Sequence, residues 1–134
     1  MATSITAGAV HHIALTVTDV DRARAFYTSV LGFQVAMETP RGVLLSNGSL
    51  VLALFRAPNP DRALRGDRFD EKRVGLDHLS MAVGSRSELE QAVRLFDEQG
   101  ISHGEIEDLG PLGIDVLAFR DSDNIQLELT APHN

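Results

Sequence analysis

Two stretches of the chain carry the same alternation. In HHIALTV (residues 11–17) apolar Ile13, Leu15 and Val17 alternate with His12, Ala14 and Thr16. In DHLSMAV (residues 77–83) Leu79, Met81 and Val83 alternate with His78, Ser80 and Ala82. A period of two places each set on its own face of a strand. After each stretch the period lengthens to that of a helix. Val20, Ala23, Phe26 and Val30 form the first apolar stripe, and Leu89, Ala92, Val93 and Phe96 the second. Thr18 and Asp19 open the first helix. Ser85 opens the second, with Glu88 at capping-box spacing. Gly32 and Gly100 suit left-handed caps at the two ends. The copies are offset by 66 residues at the histidines and 68 at these glycines, so a short insertion separates them.

Three strands are expected after each helix: about 33–38, 42–46 and 50–55 in the first copy, and about 102–107, 114–120 and 125–130 in the second. NGS and DSDN supply turns before the last strand of each set. The chain therefore predicts an α+β fold of two βαβββ modules, about 9–56 and 75–131. Between them lies a charged, proline-containing stretch, about 57–74, expected as a linker or flap. Its charges Asp61, Arg62, Arg65, Asp67 and Arg68 are expected in solvent.

Length and composition narrow this picture. A chain of 134 residues, 43% of them hydrophobic, fits one folded domain. The absence of cysteine excludes disulfides, thiolate metal sites and a cysteine nucleophile. A net charge of −7 argues against nucleic acid or an anionic membrane as partner. The amino terminus lacks a secretory pattern and no stretch is long enough to span a bilayer, so a cytoplasmic location is expected.

The apolar faces of these strands suit packing beneath a helix, which leaves the opposite faces for chemistry. The last strand repeats the division, with Ile125, Leu127 and Leu129 against Gln126, Glu128 and Thr130. His12, His78 and Glu128 thus stand on small or polar faces. Two histidines and a carboxylate form the facial set that suits non-haem Fe(II). Alternation points His11 away from His12, into a structural role. His103 opens a strand and is a candidate proton carrier. Arg41, Val43 and Leu45 share a strand face expected to look into the substrate cavity, and Arg41 is a candidate partner for an anionic substrate. His133 is expected to be disordered in the tail, and Tyr27 to pack in the core or an interface.

HHIALTVTDVDRARAFYTSVLGF, DHLSMAVGSRSELEQAV and LAFRDSDNIQLEL together resemble the vicinal oxygen chelate superfamily over about residues 9–131. That group includes glyoxalase I, extradiol dioxygenases, fosfomycin-resistance proteins and bleomycin-binding proteins. The resemblance implies paired modules forming a half-barrel around one divalent metal, with His12, His78 and Glu128 at the ligand positions. Fe(II) is favoured, and Mn, Ni, Co or Zn could occupy the same ligands. In DSDN, Ser122 and Asn124 replace the commoner proline and glycine.

The fourth position of the family's site matches Ala53, which cannot bind metal. Extradiol dioxygenases share that three-ligand set, whereas glyoxalase I usually has a glutamate or glutamine there. Two departures weigh against ring cleavage of the usual kind. SNGSLVLAL lacks the acid–base histidine of those enzymes, and Ala118 stands where they carry a tyrosine. The resemblance thus implies an Fe(II)-dependent dioxygenase or oxygenase using O2 on an aromatic, phenolic or quinone-like molecule, in natural-product tailoring or aromatic catabolism. The protein is expected to be a homodimer. The alternatives are a glyoxalase I-like lyase or isomerase and a small-molecule-binding antibiotic-resistance protein.

Overall fold

The first change of period, at Thr18, is where strand β1 (Ile13–Thr16) gives way to helix α1 (Val20–Ser29). The Asp19 side chain caps the helix, accepting from the Arg22 N–H at 3.0 Å. Strands β2 (Gln34–Thr39), β3 (Gly42–Ser46) and β4 (Val51–Phe55) complete the first module. The second runs β5 (Leu79–Ala82), α2 (Arg86–Gln99), β6 (Glu107–Leu109), β7 (Ile114–Arg120) and β8 (Gln126–Pro132). Glu88 closes the capping box of α2, accepting from the Ser85 N–H at 3.0 Å and also from the Gly84 N–H. The computed structural model describes residues 4–59, 61 and 63–133. It divides into two compact units, Met1–Arg65 and Gly66–Asn134.

Both units have the same topology: strand order β1-β4-β3-β2 in one and β5-β8-β7-β6 in the other. The first strand of each module pairs in parallel with its last, and the remaining pairs are antiparallel. The registers also agree. Ile13 pairs with Leu52 and Ala14 with Ala53, while Leu79 pairs with Leu127 and Ser80 with Glu128. Among the described residues, neither sheet contains a pairing that closes it into a barrel.

Alternation decides what each helix covers. In the first unit Leu15, Val43, Leu45, Leu52 and Leu54 are buried together with Ala23 and Tyr27 of α1. The deepest positions of α1 therefore fall one residue past the expected Phe26, which is half-buried. In the second unit Leu117, Phe119, Leu127 and Leu129 are buried with Leu89 and Phe96 of α2, and the Phe96 and Phe119 rings stack at 4.6 Å.

Four expectations need correction. Val43 and Leu45 pair with Leu54 and Leu52, so they belong to the buried face, and Leu44, opposite Ala53, lies on the other face. The strand expected at 102–107 is reduced to a bridge between His103 and Phe119, followed by the short β6. Glu107 pairs with Val116, so one extra residue intervenes between bridge and strand and breaks the ladder. The tail is ordered as far as His133, whose N–H donates to the Gly113 carbonyl at 2.8 Å. The far half of the connecting segment is also fastened: the Phe69 N–H donates to the Asp123 carbonyl at 3.1 Å, and the Asn124 amide donates to the Phe69 carbonyl at 3.0 Å. Asp61, Arg65, Asp67 and Arg68 are exposed as expected, and Arg62 lies outside the described residues.

Leu52 and Leu127 occupy equivalent ladder positions and are both fully buried. Replacing either with alanine is expected to lower stability by about 2–5 kcal/mol. Urea unfolding followed by circular dichroism checks this.

Candidate metal centre

The face of the second sheet opposite its buried leucines mixes polar and small apolar residues. Ser80, Glu128 and Ala118 lie level across β5, β8 and β7, and Ala82, Thr130 and Val116 form the next row. His78 stands just before β5. Its Nε2 is 3.6 Å from Glu128 Oε1. Two donors bound to one ion at roughly 2.0–2.2 Å are about 3–3.6 Å apart, so this pair has the spacing of two ligands of one cation. Glu128 is largely desolvated, with 18% of its side chain exposed. It accepts from the Thr130 hydroxyl at 3.2 Å, and that hydroxyl is 2.5 Å from Ser80 Oγ. The other His78 nitrogen, Nδ1, is 2.7 Å from Asp77 Oδ1.

The first unit repeats the frame with different donors. His12 stands just before β1, as His78 does before β5. The slot of Glu128 is taken by Ala53, and that of Ser80 by Ala14. His11 corrects its expected orientation. Its Nδ1 lies 2.9 Å from His12 Nδ1, with the rings edge-to-face at 5.1 Å. Residues 11 and 12 precede the strand, so alternation does not separate their side chains.

The two candidate reactive groups outside the ligand set are placed as follows. Arg41 holds its guanidinium 4.7 Å from the Phe55 ring centre and donates to the Arg56 carbonyl at 3.2 Å. Phe55 pairs with Thr16, four residues along from His12. At strand rise that is about 13 Å, so Arg41 sits at the far end of its sheet from that histidine. His103 bridges α2 to the sheet. Its Nε2 is 2.7 Å from Asp97 Oδ1, its Nδ1 is 2.6 Å from the Gly104 carbonyl, and its ring lies against Phe96. The Asp97 hydrogen bond, with that to Gly104, raises its pKa above the usual histidine value. A carboxylate and a carbonyl oxygen only accept, so the ring donates to both, a bracing arrangement.

Several polar contacts were not foreseen. The turn before β8 is shaped by Asp121, whose carboxylate accepts from the Asp123 and Ile125 N–H groups at 2.8 and 2.9 Å. Asn124 takes φ 66° there, the left-handed conformation that a glycine would otherwise supply. Arg120 grips Glu71 with two hydrogen bonds, at 2.7 and 2.8 Å. Asp108, Asp115 and His133 bring potential ligand atoms within 4.8 Å of one another. His133 Nε2 meets Asp115 at 3.0 Å and Asp108 at 3.1 Å, and Arg86 meets Asp115 at 3.4 Å, so each member of this group has a polar partner within the protein. Of these, only the DSDN turn had a usable signal in sequence. The Asp77 contact with His78 had one as well, since Asp77 directly precedes His78 as His11 precedes His12.

Residues 9–129 match the family model for the Glyoxalase/Bleomycin resistance protein/Dioxygenase superfamily. The chain belongs to that superfamily. It is 38% identical to the uncharacterized protein YwkD of Bacillus subtilis (strain 168), over 90% of this chain and 94% of that one. It is 31% identical to the catechol-2,3-dioxygenase of the same organism, over 67% of this chain but only 30% of that protein. Among solved structures, a glyoxylase/bleomycin resistance protein/dioxygenase domain from Frankia sp. EAN1pec has a TM-score of 0.79 at 30% identity, covering 96% of this chain and 95% of that one. The superfamily includes dioxygenases, lyases and resistance proteins. No helix among the described residues is long and apolar enough to cross a membrane.

The Arg120 hydrogen bonds hold the Glu71 carboxyl at a pKa of about 2, below its ordinary 4.5. The stability this contributes is present above the ordinary value and is lost as pH falls from about 4.5 toward 2. A Glu71→Gln variant is expected to show a shallower loss of urea midpoint over that window than the parent protein.

Proposed function

We propose that the protein is an Fe(II)-dependent oxygenase of a phenolic or quinone-like aromatic molecule, with His12, His78 and Glu128 as its metal ligands. It would act in the cytoplasm as a homodimer, with Mn, Ni, Co or Zn able to occupy the same ligands. The observation that carries this reading is the pairing of His78 with Glu128 at ligand spacing. His12 occupies the equivalent position of the other module and supplies the third donor, from the same chain or from a second copy. Two imidazoles and a carboxylate fit a first-row divalent ion and favour iron where open positions remain. The similarity to a catechol-2,3-dioxygenase favours an oxygen reaction.

Bound iron would supply Lewis acidity toward a phenolic oxygen and a route for electrons to O2. The chain's own contributions are those of its uncovered faces. Ala14 on one sheet, and Ala82 and Ala118 on the other, offer methyl groups suited to the flat face of an aromatic ring. Ala53 adds no fourth donor. Glu128 stays fixed through Thr130 and Ser80, so it presents the same oxygen throughout. His103 braces α2 in this reading, and Arg41 is kept at the far end of its sheet as a cation for an anionic substituent.

Anaerobic loading with Fe(II), then oxygen-electrode measurements over catechols, hydroquinones and polyketide phenols, tests the reaction. Metal-dependent oxygen uptake is expected, and His78→Ala and Glu128→Ala are each expected to abolish it and to lose stoichiometric metal while keeping the circular dichroism spectrum. A methylglyoxal–glutathione assay with nickel and zinc runs alongside. Turnover there with no oxygen uptake would replace the oxygenase reading with a lyase one.

A further inference from the structure

Both candidate metal histidines share a feature beyond their position in the repeat. Each has its Nδ1 engaged by the side chain immediately before it: His78 by Asp77 at 2.7 Å, and His12 by the Nδ1 of His11 at 2.9 Å. Asp77 is itself held, because the Gln126 amide donates to its Oδ1 at 3.1 Å and to its backbone carbonyl at 3.0 Å. Gln126 Oε1 in turn lies 3.5 Å from Arg120, whose guanidinium grips Glu71. A chain of polar contacts therefore runs from the fastened connecting segment to the ring of His78, although the Asp77 side chain is 69% exposed.

A neutral imidazole carries one N–H, and its other nitrogen is the one that can bind a cation. A carboxylate accepts only, so at Nδ1 it keeps the proton there and leaves the Nε2 lone pair free. In His78 that free nitrogen is the one 3.6 Å from Glu128. His11 can do the same for His12 by accepting at its Nδ1. We infer that Asp77 and His11 are positioning residues: each fixes the Nδ1–H tautomer and ring orientation of the histidine that follows it, so that Nε2 faces the metal. This rests on the ligand set proposed above, but the tautomers are a property of the metal-free protein.

The test uses nitrogen NMR of the metal-free protein at about pH 8, where an ordinary histidine is neutral, together with Fe(II) and Ni(II) affinities from chelator competition. In the parent protein His78 is expected as the Nδ1–H form. Asp77→Ala is expected to move it toward the Nε2–H form and to weaken metal binding by roughly 10–100-fold, the usual effect of removing such a partner. Asp77→Asn keeps the accepting oxygen and is expected to restore most of both. His11→Ala and His11→Asn are expected to act in the same way on His12. An unchanged His78 tautomer in Asp77→Ala overturns the inference, as does a changed tautomer with parent-level affinity while His78→Ala loses the metal. If His78→Ala itself keeps parent affinity, the ligand set is what fails, and the metal-free spectra alone then decide for or against the brace.

Discussion

The parallel pairing of the first and last strand in each module constrains everything else in this protein. Such a pair cannot be joined by a tight turn and needs a long crossover, supplied here by a helix and two further strands. The βαβββ order of both units meets that requirement. It also holds the residue before β1 or β5 at a set height relative to the middle of β4 or β8. A histidine in the first place and a glutamate in the second then meet on one face, as His78 and Glu128 do. The helix on the opposite face supplies the apolar cover that keeps the pairing in register, since a slip of one residue would turn Leu127 and Leu129 outward.

Much of this frame was legible because both of its periods are strong. The alternation in residues 12–17 and 78–83, the two amphipathic stripes and the turn at DSDN all reappear as elements. The ladder register shows Ala53 and Glu128 in equivalent slots, which the sequence had indicated only through the family resemblance. What was missed lies where no period operates. His11 precedes its strand, so its neighbour's ring was within reach although alternation said otherwise. Arg41 and Val43 are two residues apart, but Arg41 is in a turn and follows Phe55, while Val43 follows the ladder.

The remaining misses are long-range polar contacts, which leave no local trace. Glu71 and Arg120 are far apart in sequence, and either reads as an ordinary surface charge until the turn before β8 brings them together. His133 looked like loose tail because its partners, Asp108 and Asp115, lie in β6 and β7. His103 was legible as a histidine at a strand opening, but the two hydrogen bonds that link it to α2 and to the Gly104 carbonyl were not.

The slot held by Ala53 carries a consequence for how the fold depends on charge. Ala53 is 1% exposed. A carboxylate in so enclosed a place costs free energy unless it is paired or protonated, so a first unit built that way would gain stability from a cation bound there. With a methyl group in that slot, the first unit has no buried charge there to neutralise. Glu128, in the equivalent slot of the second unit, retains some solvent and a hydroxyl donor of its own. Neither unit therefore ties its folding to a counter-ion at this position.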